Sequence, residues 1–156
     1  EELVALRGYT SHEPAAFDGK QSQEPDYRKV NRALRQGGAG VSEVASYVQT
    51  TASALGKLPP HQGTVYRGSD LPSSVLAAYQ PGKVVTERAF LSTATDPSKA
   101  FGGNTTYVIG SRTGRDIAPI SHFDESEILF SPGTRFEVLS VETEADGRTI
   151  IFMNEV

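Results

Sequence analysis

Cysteine is absent from the 156 residues, and with it disulfide bridges, thiolate metal sites and a thiol nucleophile. No apolar run approaches the ~18 residues that a membrane-spanning helix needs, so no membrane partner is expected. The segment Glu1–Leu6 has neither the basic start nor the long apolar stretch of a signal peptide. Lys and Arg form no cluster and the net charge is −4. Phosphate neutralisation supplies most of the affinity of nucleic-acid binders, so bulk binding of that kind is not expected. His12, His61 and His122 are scattered, with no helical pair and no acidic partner at ligand spacing. They read as ordinary surface or loop histidines, and no metal is expected.

What is present fits one soluble domain spanning 1–156, with 37% hydrophobic and 22% charged residues. The pattern divides into a helical part, about 1–58, and a β-rich part, about 63–156. Tyr27, Val30, Asn31 and Leu34 fall on one face of a helix predicted over Pro25–Arg35, which Gly37-Gly38 would end. Val41, Val44, Ala45, Val48, Ala52 and Leu55 mark a second helix that stops near Gly56. Lys57 to Gly63 reads as a linker. Strands are predicted at Thr64–Arg67, Ala89–Thr93, Thr105–Ile109, Ser126–Phe130, Phe136–Glu142 and Thr149–Met153. Pro72 at a first helical position would open a short helix to about Tyr79. Asp96-Pro97 would cap another, and Asp146-Gly147 would form a hairpin turn. Helices followed by a run of strands indicate an α+β fold and argue against a wound parallel sheet.

Three short stretches could carry chemistry. Asp124-Glu125-Ser126-Glu127 puts three acids directly before the apolar Ile128-Leu129-Phe130. In an extended chain Glu125 and Glu127 share a face, their Cα atoms about 6.7 Å apart. Two such carboxylates repel, which raises one pKa and separates their roles; a solvated strand edge that resists aggregation is the plainer alternative. Tyr66-Arg67-Gly68 offers a planar fork of donors beside an accessible backbone, suited to phosphate or carboxylate, although a surface Arg before a turn reads equally well. Ser92-Thr93 could be catalytic or merely strand hydroxyls.

Order and spacing bind these stretches together. Tyr66-Arg67-Gly68, then Phe90-Leu91-Ser92-Thr93-Ala94 about 25 positions on, then Glu125-Ser126-Glu127 about 33 further, resemble the arginine, serine and glutamate series of mono-ADP-ribosyltransferases. The Glu-x-Glu form resembles the branch that modifies arginine. Tyr9-Thr10-Ser11, Tyr27, Asn31 and Leu34-Arg35 are similar to the stretch before the first motif in bacterial toxins of this kind. Residues 127–136 are similar to their segment after the glutamates, so the resemblance runs from about residue 5 onward. One position departs from it: Ala94 stands where a second serine is usual.

The resemblance implies N-terminal helices on a mixed, mainly antiparallel, two-sheet β-core. It implies nicotinamide adenine dinucleotide (NAD) consumed as co-substrate, in keeping with the lack of a Gly-x-Gly-x-x-Gly loop. It assigns Arg67 to the NAD phosphates, the Gly68 backbone to the nicotinamide amide, Ser92 to holding Glu127, and Thr93 to the pocket wall. Glu127 would stabilise the cationic ribose and Glu125 would orient the acceptor arginine and take its proton. Phe101 is the candidate to close over nicotinamide, and Phe123 to touch the target protein. The implied partners are a protein with an accessible arginine and an immunity protein or chaperone; the implied setting is a bacterial toxin or effector acting in the target-cell cytoplasm. An NAD glycohydrolase or a non-catalytic binding module on the same fold are the alternatives. A retaining glycosidase, whose carboxyls stand ~5–5.5 Å apart on different segments, fits an acid pair on one strand poorly.

Overall fold

The computed structural model describes residues 16–17, 20–21, 27–100, 102–117 and 127–156. Two short strands, β1 (Ala16–Phe17) and β2 (Lys20–Gln21), pair antiparallel ahead of helices α1 (Tyr27–Gln36) and α2 (Ala39–Gly56). Gly37, at φ 72°, ends α1 by donating its N–H to the Ala33 carbonyl at 2.9 Å, in a left-handed conformation that a side chain would resist. The predicted helical face is the one that packs. Val30 and Leu34 of α1 and Val44, Tyr47 and Leu55 of α2 meet Phe90, Ile117 and Leu129 of the β-region. Burying each such side chain is worth roughly 1.5–3 kcal/mol. Asn31 sits on that face because its Oδ1 accepts the buried Phe90 N–H at 3.1 Å, docking α1 onto the start of a strand.

The β-region runs β3 (Pro60–Ser69), α3 (Ser73–Leu76), β4 (Val84–Glu87), β5 (Leu91–Ala94), a 3-10 turn (Pro97–Ala100), β6 (Thr105–Asp116), β7 (Glu127–Phe130), β8 (Thr134–Thr143) and β9 (Thr149–Glu155). These seven strands hydrogen-bond in the order β3-β5-β7-β6-β9-β8-β4, and every pair is antiparallel except β6–β9. Strand β3 also pairs with β6 along most of its length, so β3, β5, β7 and β6 close into a ring. The two expected sheets are thus continuous, sharing β3 and β6. Val65, Tyr107, Ile109, Ile128, Phe130, Phe136, Val138 and Ile151 fill the second core.

Several boundaries differ from the sequence reading, each for a local reason. Residues 60–63 of the predicted linker belong to β3, where Pro60 occupies the first strand position that proline tolerates. Pro72 is extended (φ −60°, ψ 150°) and precedes α3, which ends at Leu76 while turn hydrogen bonds carry the chain on to Tyr79. Strand β4 was not expected: four half-exposed residues at the sheet edge carry little periodic signal. Strand β6 extends seven residues past Ile109, through Gly110 and Gly114. Side chains at those glycines would overlap Asn154 and Ile128, so each glycine marks close packing inside the strand. The start of β7 at Glu127 leaves Ser126 outside the described residues, as Pro25 is for α1. The expected turn at Asp146-Gly147 is present, with Glu144 N–H on the Arg148 carbonyl at 2.8 Å and Gly147 at φ 88°.

Candidate active site

Strand β5 pairs with β3 at one register position only, Tyr66 opposite Ala94, because β3 diverges to follow β6. The splay leaves an open cleft of about 260 Å³, lined by Tyr66, Arg67, Gly68, Ser92, Thr93, Ala94, Lys99 and Glu127. Residues from all three sequence motifs therefore converge on one opening. Ser92 Oγ donates to Glu127 Oε2 at 2.6 Å. Arg67 reaches across the splay and donates from Nη1 to the Ser92 carbonyl at 2.9 Å, tying β3 to the strand that carries Ser92. Thr93 is buried at the cleft wall, its Oγ1 donating to the Ile128 carbonyl at 2.7 Å.

Gly68 has a structural reason of its own. A side chain there would overlap the Ala100 carbonyl and come within 2.9 Å of the Gly102 oxygen, both of which lie directly against it. The 3-10 turn begins as predicted at Asp96, whose Oδ1 accepts the Ser98 N–H at 2.9 Å and the Ser98 hydroxyl at 2.7 Å. These bonds hold the Asp96 carboxyl below its ordinary pKa. Lys99, in the same turn, brings a second cation to the cleft beside Arg67. Sequence reading missed Lys99; the available signal was its place in a short capped turn right after the serine motif.

Glu125, Phe101 and Phe123, and with them the acid pair on one face and both aromatic candidates, lie outside the described residues. Two further polar groups support the strands. Glu155 is 7% exposed and accepts the backbone N–H groups of Arg112 (2.7 Å) and Thr113 (2.8 Å), together with the Thr113 hydroxyl. It satisfies β6 beyond Gly110, where register pairing with β9 stops. Behind Arg67, Tyr107 OH donates to Tyr79 OH at 3.2 Å, the rings meeting edge to face at 5.6 Å. Burial pushes both phenols above the ordinary tyrosine pKa, Tyr107 the further.

An α+β core with a ring of four strands thus brings an Arg, a Ser and a Glu to one cleft. The family model of NAD:arginine ADP-ribosyltransferases matches residues 1–156, and this chain belongs to that family. The Mav protein of Mycobacterium avium (strain 104) is 44% identical over 161 residues, covering 99% of the chain and 18% of Mav. Among solved structures, the type III effector XopAI from Xanthomonas axonopodis pv. citri superimposes with a TM-score of 0.79 at 30% identity, covering 99% of this chain and 62% of that one. The ADP-ribosyltransferase Vis in complex with agmatine gives 0.75 at 28% identity, covering 99% and 74%; Vis comes from Vibrio splendidus. The chain spans about a fifth to a third of the first curated relatives it matches.

Proposed function

We propose that this chain is the catalytic part of a bacterial toxin or effector that cleaves NAD and transfers ADP-ribose to an arginine side chain of a target protein. The observation that carries this reading is the Ser92–Glu127 hydrogen bond at 2.6 Å in a cleft that also holds two cations, Arg67 and Lys99. NAD carries a diphosphate, which those cations complement, and a ribose whose bond to nicotinamide must break. As that bond breaks its electron pair goes to nicotinamide, which leaves neutral and needs no general acid. The sugar becomes an oxocarbenium-like cation, as in glycoside hydrolysis. Glu127, its rotamer fixed by Ser92, accepts a hydrogen bond from the ribose hydroxyl and stabilises that positive charge; preorganised groups of this kind contribute about 3–4 kcal/mol. The Gly68 backbone meets the nicotinamide amide, and Phe101 closes over the ring.

The acceptor guanidinium keeps its proton above pH ~12 and offers no free lone pair. Glu125, two residues before Glu127, orients it and removes a proton as nitrogen bonds to the ribose carbon. Phe123 contributes to the surface that the target meets. Agmatine in complex with Vis ends in the same guanidinium group, which supports a guanidine acceptor. The likeness to a type III effector supports delivery into another cell, and no described helix is long and apolar enough to cross a membrane. An immunity protein or chaperone in the producer would act by blocking this cleft.

Labelled NAD tests the proposal. The chain is incubated with NAD and a cell lysate, beside Glu127→Gln. Label fixed to a protein, resistant to mercury salts and released by hydroxylamine, is the expected result. Nicotinamide release with no fixed label would identify a glycohydrolase, and no turnover at all a binding module.

A further inference from the structure

Arg148 lies outside all three motifs, at the end of the β8–β9 turn. Its backbone is fixed there, with its N–H on Asp146 Oδ1 at 2.9 Å and its carbonyl accepting from Glu144. The side chain crosses to the segment after the 3-10 turn. Nε donates to Thr106 Oγ1 at 2.7 Å, and Nη2 donates to the Ala100 carbonyl at 3.0 Å and the Gly102 carbonyl at 3.3 Å. These are the two carbonyls that occupy the space a side chain at Gly68 would need. The Ala100 and Gly102 carbonyls thus lie between a glycine that leaves them room and a guanidinium that binds them. Downstream, the segment is tied again where Asn104 N–H meets Asp70 Oδ1 and Asn104 Oδ1 accepts the Leu71 N–H, both at 3.0 Å. Between the two anchorages stand Gly102 and Gly103, at φ 124° and 78°, which impose no conformation of their own. Arg148 orders the chain on one side of them and Asn104 on the other.

We infer that Arg148 is a positioning residue for NAD: by holding the Ala100 and Gly102 carbonyls it sets the height of the segment over Gly68 and the place of Lys99, and so the affinity of the cleft for the dinucleotide. The inference rests on the reading of the cleft as an NAD site. Lysine cannot substitute fully, because a single ammonium lacks the fork that serves Thr106 and both carbonyls together.

Steady-state kinetics on Arg148→Gln, Arg148→Lys and Thr106→Val decide the matter, with amide hydrogen exchange on the same NAD-free proteins. In Arg148→Gln the KM for NAD is expected to rise about tenfold, the scale of one lost hydrogen bond to a charged group, while kcat stays within about threefold. Arg148→Lys should fall between Gln and Arg, and Thr106→Val should move KM in the same direction. Exchange in residues 98–104 should quicken in proportion. A scaffolding role alone would lower the active fraction, and therefore kcat, at constant KM. An unchanged KM in all three variants overturns the inference while leaving the NAD reading intact. Failure of the unaltered chain to turn over NAD overturns that reading and this inference with it.

Discussion

Ser92 and Glu127 are hydrogen-bonded although they are not opposite each other in the β5–β7 pair. The register sets Ser92 against Leu129 and Glu127 against Ala94, so the 2.6 Å bond runs diagonally across the sheet face. Diagonal Cα atoms stand about 7–8 Å apart, a gap that a Glu side chain spans and Asp does not. Ala94 gives a physical meaning to the one departure from the family pattern. Its methyl group, directly opposite, offers Glu127 no competing donor, and the carboxylate leans to Ser92.

Geometry of that kind makes the two residues one unit. Glu127→Asp keeps the charge but loses Ser92, and kcat should fall about 10²-fold, as for other ångström-scale misplacements. Ser92→Ala should cost about tenfold. The double variant should be no worse than Glu127→Asp alone; additive losses in nicotinamide release would refute the coupling.

Glu125 should separate the two reactions. Glu125→Ala is expected to retain NAD hydrolysis within about tenfold, since water needs less activation than a guanidinium, while transfer to arginine drops by the 10²–10⁴-fold typical of general-base loss. Agmatine modification scored beside nicotinamide release would reveal equal losses, which would remove that assignment.

Removing Arg67 takes away the bond to the Ser92 carbonyl and, on the proposed reading, the fork that meets the NAD phosphates. Charged hydrogen bonds are worth about 1.5–3 kcal/mol, so Arg67→Ala should raise the KM for NAD by about 10- to 100-fold, with Arg67→Lys intermediate. A KM equal to that of the unaltered protein would take Arg67 out of the site.

Gly68→Ala should act through the backbone above it. The new methyl group must displace the Ala100 carbonyl, a rigid neighbour, at a cost of about 1–3 kcal/mol in stability. Thermal melts should show the loss and kinetics a raised KM for NAD. Unchanged melting would mean that the segment yields freely.

The tyrosine pair gives a pH signature. Tyr79 and Tyr107 have phenol pKa values raised by burial, so the folded state favours their neutral forms. In the unfolded chain they ionise near pH 10 and release protons the native state retains. Stability from the pair is therefore complete below about pH 10 and declines as pH rises past it. Alkaline titration should show part of the tyrosinate absorbance appearing only with loss of circular dichroism. Tyr107→Phe should lose that coupled fraction.

Periodicity located α1 and α2 to within two residues, because each has a single buried face whose spacing is written in consecutive turns. The motif residues Arg67, Gly68, Ser92, Thr93 and Glu127 were legible as a series, and the fold brings them to one cleft. What escaped the sequence reading depends on partners far along the chain. Gly110 and Gly114 look like breaks until Asn154 and Ile128 are seen against them. Arg148 looks like one more turn cation until its reach to Ala100 is known, 48 positions away. Glu155 looks like a surface acid until the N–H groups of Arg112 and Thr113 point at it.

Strand β9 fills the gap between β6 and β8, and its parallel pairing with β6 begins with Thr105 beside Thr149, 44 positions apart. The β8–β9 hairpin closes locally, with Thr143 beside Thr149, whereas the β6–β9 pairing must join parts of the chain made far apart. Arg148 directly precedes β9, so the strand that joins β6 to β8 also carries the guanidinium that reaches the Ala100 carbonyl. Clipping the chain after Asp146 should therefore remove NAD turnover although every motif residue is still present.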